Sequence, residues 1–236
     1  MTQRTHNLRV SEVYDSVQGE GPRVGVPTVF VRFGGCNLRC AGWPCDTQHA
    51  IDPAFREEWK LKSPEKLADE ISEFGIKNIC FTGGEPFLQN NHALHELSQL
   101  LRIRGMEVEC FSNGTLLYPK WAVDTINFVM DWKLPGSGEE PSIWTPTNIK
   151  NMDESLIVHS IKFTIASHED YLEAKRRWVT EVPIGNPAVS LEFFYGVVWG
   201  QLEDKELIEW VLKDGLRWRH NMQVHNYIWD RELRGI

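Results

Sequence analysis

The sequence predicts an α/β fold on a mostly parallel sheet, open or partly closed like a barrel. Two observations carry this reading. About six short β-branched or aromatic runs alternate with segments of helical period, the pattern that lays down parallel strands joined by helices. No internal repeat or flexible linker divides the 236 residues, and 42% hydrophobic with 25% charged residues is an ordinary globular composition. One domain over residues 1–236 is expected, with a core at about 26–200 and a C-terminal segment at 216–230.

Residues 8–14 alternate as an N-terminal extension strand, and Gln18-Gly-Glu-Gly-Pro22 follows as a loop with polar reach. Residues 28–33, Thr-Val-Phe-Val-Arg-Phe, read as a buried strand in which Arg32 is a charge out of keeping with its neighbours. Ser63 caps and Pro64 opens a helix whose apolar stripe is Leu67, Ile71 and Phe74; Gly75 ends it. A strand at 77–82 turns at Gly83-Gly-Glu-Pro86 into a second helix carrying Leu94, Leu97, Leu100 and Leu101, closed by Gly105. Then come a strand at 107–111, a turn at 112–115, a short helix at 121–125 and a strand at 127–132. Residues 133–150 hold three prolines and two glycines and are expected to form a long functional loop or lid. A strand at 160–165, a helix at 167–179, a strand at 188–198 and a helix at 204–213 complete the alternation, with Gly215 as its C-terminal cap.

The formal net charge of −8 argues against a nucleic-acid binder acting through its overall field. Lys175-Arg176-Arg177 and the pair Arg217 and Arg219 read as solvated helix faces or near-terminal positions. No signal-peptide core and no membrane-spanning apolar run is present, so a cytoplasmic protein is expected. An odd cysteine count fits a reducing compartment, with Cys80 and Cys110 as small core residues.

The other three of the five cysteines, Cys36, Cys40 and Cys45, fall within ten residues. On spacing alone they fit a zinc site completed by His49, an iron-sulfur cluster with one open iron, or unmetallated thiols. In folds of this class the loops after the strands form the active site, so 36–47, 83–86, 112–114 and the loop from Lys133 should converge on one face. That convergence favours a catalytic cluster beside a cofactor pocket. Gly83 and Gly84 permit close backbone approach, and Glu85 offers a carboxylate suited to an ammonium group.

Gly35-Cys-Asn-Leu-Arg-Cys40 followed by Thr82-Gly-Gly-Glu-Pro86 resembles the radical S-adenosylmethionine superfamily. Gln18-Gly-Glu-Gly21, Val31-Arg32, Cys45-Asp-Thr47, Asn113-Gly-Thr115, Asp131-x-Lys133, Ser137-Gly138, Lys162-Phe163 and Gln223-x-His225 resemble, more narrowly, the 7-carboxy-7-deazaguanine synthase family. The resemblance implies a partial, incomplete β/α barrel of about six parallel strands, with residues 216–230 completing the substrate pocket. It implies a 4Fe-4S cluster on Cys36, Cys40 and Cys45, with S-adenosylmethionine at Gly83, Gly84, Glu85, Ser112, Asn113, Asp131 and Lys133. It implies Mg2+ at Thr47 and substrate contacts from Gln18, Glu20, Arg32 and His225. The implied reaction is radical ring contraction of 6-carboxy-5,6,7,8-tetrahydropterin to 7-carboxy-7-deazaguanine with loss of ammonia, a carbon-nitrogen lyase step of preQ0 and queuosine-type biosynthesis. A flavodoxin or ferredoxin donor and a homodimer are implied partners, with no membrane and no direct nucleic acid.

Three positions depart from the pattern. Ala41-Gly-Trp-Pro44 puts four residues between the second and third cysteines where two are usual, Asn226 follows the histidine where lysine is common, and Phe111 stands where an acidic residue is frequent. Two other readings share part of the motif set: a glycyl-radical-enzyme activating protein, and a zinc-binding interaction module using Cys36, Cys40, Cys45 and His49.

Overall fold

The computed structural model describes residues 6–43, 45–182, 191–230 and 233–235. Its strands are β1 (Leu8–Val17), β2 (Pro27–Phe33), β3 (Lys60–Lys62), β4 (Asn78–Gly83), β5 (Glu107–Ser112), β6 (Asn127–Asp131), β7 (Ser160–Ile165), β8 (Glu192–Val197) and β9 (Arg219–His220). They form one sheet in the order β3-β1-β2-β4-β5-β6-β7-β8-β9. From β2 to β9 every pairing is parallel, whereas β1 pairs antiparallel with both β2 and β3. The N-terminal extension strand therefore lies inside an antiparallel edge, and the sheet does not close on itself among the described residues.

The helices are α1 (Gln48–Ile51), α2 (Pro64–Glu73), α3 (Asn91–Ile103), α4 (Lys120–Val123), α5 (Thr145–Asp153), α6 (His168–Glu181), α7 (Asp204–Lys213) and α8 (His225–Ile228). α2 starts as its sequence dictates: Ser63 Oγ accepts from the Lys66 amide at 3.4 Å and proline occupies the first turn. Among the described residues no helix is long and apolar enough to cross a membrane.

The strand period of two sorts the side chains between two faces. Val29, Val31, Phe33, Ile79, Phe81, Cys110, Met130, Ile161 and Phe163 are buried in the core, together with Leu67 and Ile71 of α2, Leu94 and Leu97 of α3, and Leu207 of α7. Phe30, Arg32, Cys80, Thr82, Phe111, Asp131 and Lys162 line the opposite, cavity face. Parallel register then sets Phe33 beside Gly83, Ser112 beside Met130 and Asp131 beside Lys162, so successive strand ends deliver their loops to one rim.

Two expectations change, and two short strands are not anticipated by the sequence. The segment 133–150 is not one long loop: a single turn of 3-10 helix at Pro135–Ser137 and the start of α5 occupy it, because proline lies in the first turn of α5, a helix-opening position. The turn at residues 83–86 leads first into a short 3-10 helix at Pro86–Leu88, and α3 begins only after Asn90 caps it through the Ala93 amide at 3.1 Å. β3 and β9, three and two residues long, have no sequence signal of their own. The strand expected at 188–198 is β8; positions 188–190 of that expectation, like Pro44 of the cysteine loop, lie outside the described residues.

Candidate active site

The loop after β2 brings Cys36, Cys40 and Cys45, all free, to the wall of a cavity of ≈ 610 Å³. Two N–H groups point at Cys36 Sγ, from the Leu38 backbone at 3.4 Å and Asn113 Nδ2 at 3.7 Å. Cys40 has φ +46°, a left-handed backbone that favours glycine. The amides of Arg39 and Cys40 both donate to Glu139 Oε1. Cys45 Sγ lies 3.4 Å from Thr47 Oγ1, which donates to the Gly83 carbonyl at 3.0 Å. Burial pushes the Cys36 thiol up, and pushes Cys40 up to about 11 against the opposing charge of Lys133. Thiolates here need a cationic partner, as metal ligands do.

Gly83 and Gly84 are required by close backbone approach. A Cβ on Gly84 would sit 2.0 Å from the Gly35 carbonyl oxygen, and one on Gly83, whose φ is +96°, would sit 2.6 Å from the Phe33 nitrogen. Both glycines line the cavity. Glu85 does not: its side chain is fully buried and accepts from the Phe87 amide at 3.0 Å, Ser112 Oγ at 2.9 Å and the Asn113 amide at 2.8 Å. The carboxylate ties the ends of β4 and β5 together instead of reaching the cavity. Burial raises its pKa, with those three donors opposing.

The remaining wall is a chain of ion pairs. Lys162 Nζ lies 2.7 Å from Glu20 Oε2 and 3.8 Å from Asp131 Oδ2, and Lys133 Nζ lies 3.0 Å from the same Asp131 oxygen. Burial opposes charge at Glu20 and Asp131, yet Lys162 at the first and Lys133 with Lys162 at the second hold both carboxyls below their usual range. Gln223 Nε2 donates to the other Glu20 oxygen at 2.7 Å. Gln18 donates its amide N–H to Glu109, a carboxyl that burial pushes up to about 7. Arg32 donates to Tyr14 Oη from Nε at 2.9 Å and Nη2 at 2.6 Å, with Glu12 Oε2 3.4 Å from Nε. His225, at the start of α8, packs so tightly on the loop after β1 that a Cβ on Gly19 would meet its Nδ1 at 2.1 Å. Burial lowers its pKa, against the pull of Glu20 and Asp46.

The fourth ligand of the zinc alternative goes elsewhere. His49 Nε2 lies 3.0 Å from Glu12 Oε2, in the network that holds Arg32. Among the described residues no three His, Cys, Asp or Glu side chains are grouped to hold one metal ion. A polynuclear cluster asks for a wider set, since each thiolate binds its own iron.

A family profile described as a 4Fe-4S single cluster domain matches residues 17–132. The chain is 34% identical to the 7-carboxy-7-deazaguanine synthase of Leptospira interrogans, over 98% of this chain and 99% of that protein. It is 30% identical to the enzyme of that name from Clostridium acetobutylicum, over 98% and 100%. The chain belongs to the 7-carboxy-7-deazaguanine synthase family. The fold agrees: QueE from Escherichia coli superposes with a TM-score of 0.70 at 20% identity, over 93% of this chain and 95% of that one. Streptococcus suis SuiB bound to S-adenosylmethionine gives 0.53 at 12% identity, over 81% and 48%.

This member of the 7-carboxy-7-deazaguanine synthase family brings every site residue expected from sequence to the cavity wall except Glu85. Tyr14, Lys162 and Gln223 also line it, and the sequence reading gave them no site role. Lys162 had a signal, a lone charge in the apolar run of β7, as Arg32 is in β2. Glu109 carried the same signal, a charge between Val108 and Cys110 in β5, whereas Glu139 had none; each acts through a partner some 90 or 100 residues away, Gln18 and Cys40.

Proposed function

We propose that this chain converts 6-carboxy-5,6,7,8-tetrahydropterin to 7-carboxy-7-deazaguanine and ammonia, as a radical S-adenosylmethionine lyase of 7-deazapurine biosynthesis. One observation carries the reading. Three free cysteines share a cavity with Gln18, Glu20, Arg32, Lys162 and His225, in a chain that aligns with 7-carboxy-7-deazaguanine synthases over 98% of its length.

Cys36, Cys40 and Cys45 hold a 4Fe-4S cluster. The donor set fits it: three thiols on one wall, with the Leu38 and Asn113 N–H groups directed at one sulfur and so favouring its anionic form. Bound cluster and S-adenosylmethionine together supply one-electron abstraction of a hydrogen atom from carbon. Gly83 and Gly84, which lack side chains so that the turn packs on Phe33 and Gly35, line the cavity where the methionyl end binds, and Glu85 positions that turn from behind through Ser112 and Asn113. Ser112, Asn113, Asp131 and Lys133 face the rest of the cofactor. The Arg32 guanidinium, aimed by Tyr14 and Glu12, binds the substrate carboxylate. Glu20, kept ionised by Lys162, reads the amide and amine edge of the pterin, while Gln18 and His225 frame the ring.

Thr47 presents its hydroxyl oxygen to Mg2+. The hydroxyl donates its hydrogen to the Gly83 carbonyl, which leaves an oxygen lone pair for a cation whose other ligands would come from substrate and water. The single domain, its 216–230 segment completing the pocket, works as a homodimer in the cytoplasm with a flavodoxin- or ferredoxin-type electron donor; the family likeness supports these points.

Anaerobic reconstitution followed by incubation with S-adenosylmethionine, reductant and the tetrahydropterin tests the reading. A brown protein forming 5′-deoxyadenosine and 7-carboxy-7-deazaguanine is expected. A cluster-loaded protein that leaves this pterin unchanged refutes the substrate assignment.

A further inference from the structure

The long spacing between Cys40 and Cys45 has a partner in the fold. Residues 39–42 lie against the turn that follows β6, joined to it by three hydrogen bonds and to Gln201, after β8, by a fourth. The Arg39 and Cys40 amides share Glu139 Oε1, the Gly42 amide donates to the Ser137 carbonyl at 3.0 Å, and Gln201 Nε2 donates to the Gly42 carbonyl at 3.3 Å. Gly42 is packed so closely that a Cβ there would lie 1.8 Å from the Gly136 carbonyl oxygen. Behind them Lys133 Nζ sits 5.8 Å from the centre of the Trp43 ring. The bend that lets the chain meet this turn is the left-handed φ of Cys40, a conformation that costs a non-glycine residue on the order of 1 kcal/mol and needs outside support.

We propose that Glu139 is a positioning residue for the cluster: its carboxylate holds the Cys40 backbone in its left-handed bend and docks the extended cysteine loop onto residues 136–138. The proposal rests on Cys36, Cys40 and Cys45 holding a 4Fe-4S cluster. Two amides on one carboxylate oxygen is a strong arrangement, since hydrogen bonds to charged groups exceed neutral ones. It also places a negative charge next to one ligand. Net charge and hydrogen bonding around the sulfurs set an iron-sulfur cluster's potential, so Glu139 favours the oxidised cluster.

The two effects separate by substitution. Glu139→Gln keeps an acceptor oxygen without the charge, Glu139→Ala removes both, and Gly42→Ala blocks docking sterically. Each protein is reconstituted anaerobically, its far-UV circular dichroism compared with wild type, and cluster loss to an iron chelator followed by visible absorbance. Midpoint potential is measured by electron paramagnetic resonance titration. Glu139→Ala and Gly42→Ala are expected to lose the cluster about tenfold faster or more, the factor carried by one hydrogen bond to a charged group. Glu139→Gln should lose it near the wild-type rate and show a more positive potential. Wild-type rates in both Glu139→Ala and Gly42→Ala overturn the docking role, and an unchanged potential in Glu139→Gln overturns the electrostatic one. A wild-type chain that takes up no cluster overturns the underlying metal assignment, a result distinct from either.

Discussion

Replacing Lys162 by Met tests the ion-pair wall most directly, because methionine keeps the length of the stem and removes only the charge. In the native chain Lys162 and Glu20 are 2.7 Å apart with side chains 11% and 12% exposed, and Lys162 also lies 3.8 Å from Asp131. Removing one member of such a buried pair costs roughly 3–5 kcal/mol, since the other charge is left uncompensated. Glu20 keeps Gln223 and Asp131 keeps Lys133, which puts Lys162→Met near the low end, about 3 kcal/mol. For a chain of this size that lowers Tm by about 6–12 °C. The pH dependence has a definite sign. Glu20 is held below the ordinary carboxyl value of 4.5, so its pairing stabilises the fold above that pH and is lost as pH falls through the folded value. Without Lys162 the strongest pull holding Glu20 ionised is gone while burial still opposes its charge, so Glu20 protonates at a higher pH than in wild type and the variant sheds its uncompensated charge sooner. The Tm deficit should therefore be largest near pH 7 and narrow towards pH 4.5. Lys162, whose pKa burial opposes but Glu20 and Asp131 raise, adds a second narrowing above the ordinary lysine value of 10.5. Thermal unfolding of the apo chains by circular dichroism, under reducing conditions across this range, reads both effects. A deficit below about 1 kcal/mol at pH 7, or one that does not shrink in acid, refutes the account.

Two further substitutions probe the cofactor side. Glu85→Gln turns an amide N–H towards donors that now meet a carboxylate, at a cost of about 1–3 kcal/mol. Anaerobic titration calorimetry should show S-adenosylmethionine affinity falling by roughly tenfold although the side chain lies outside the cavity, and unchanged affinity with unchanged Tm contradicts the positioning role. Thr47→Val removes the hydroxyl that lies between Cys45 and the Gly83 carbonyl. Iron content should stay at the wild-type level while stimulation of turnover by added Mg2+ disappears; loss of iron instead would assign Thr47 to the cluster.

Where local composition and tertiary need agree, the fold is legible from sequence. α7 is readable from end to end because its acidic first turn, apolar spacing and Gly215 all act locally. α5 escapes because its proline reads, beside Pro135 and Pro141, as one more loop marker, although at the start of a helix proline is favoured. β3 and β9 are too short to show a period. The site divides the same way. Clustered cysteines, paired glycines and a charge inside an apolar strand announce their chemistry by residue type. Which way a carboxylate turns does not follow from type. Glu85 faces inward because Ser112 and Asn113 arrive from the neighbouring strand, and His49 leaves the cysteines because Glu12 reaches it from β1.

The loop after β1 and the chain's last segment are sewn together: the Gly21 amide donates to Asn221 Oδ1 at 2.7 Å, the Val224 amide to the Gly19 carbonyl at 3.0 Å, and Gln223 to Glu20. These contacts span about 200 residues. Closing so long a loop is an entropic cost met only after the intervening sheet exists. A polypeptide emerging from its N-terminus thus has all three cysteines, and the glycines beside them, long before it has this seam. On the proposed roles, the cysteines that would hold the metal are made before residues 221–224, which close the substrate wall against the loop after β1.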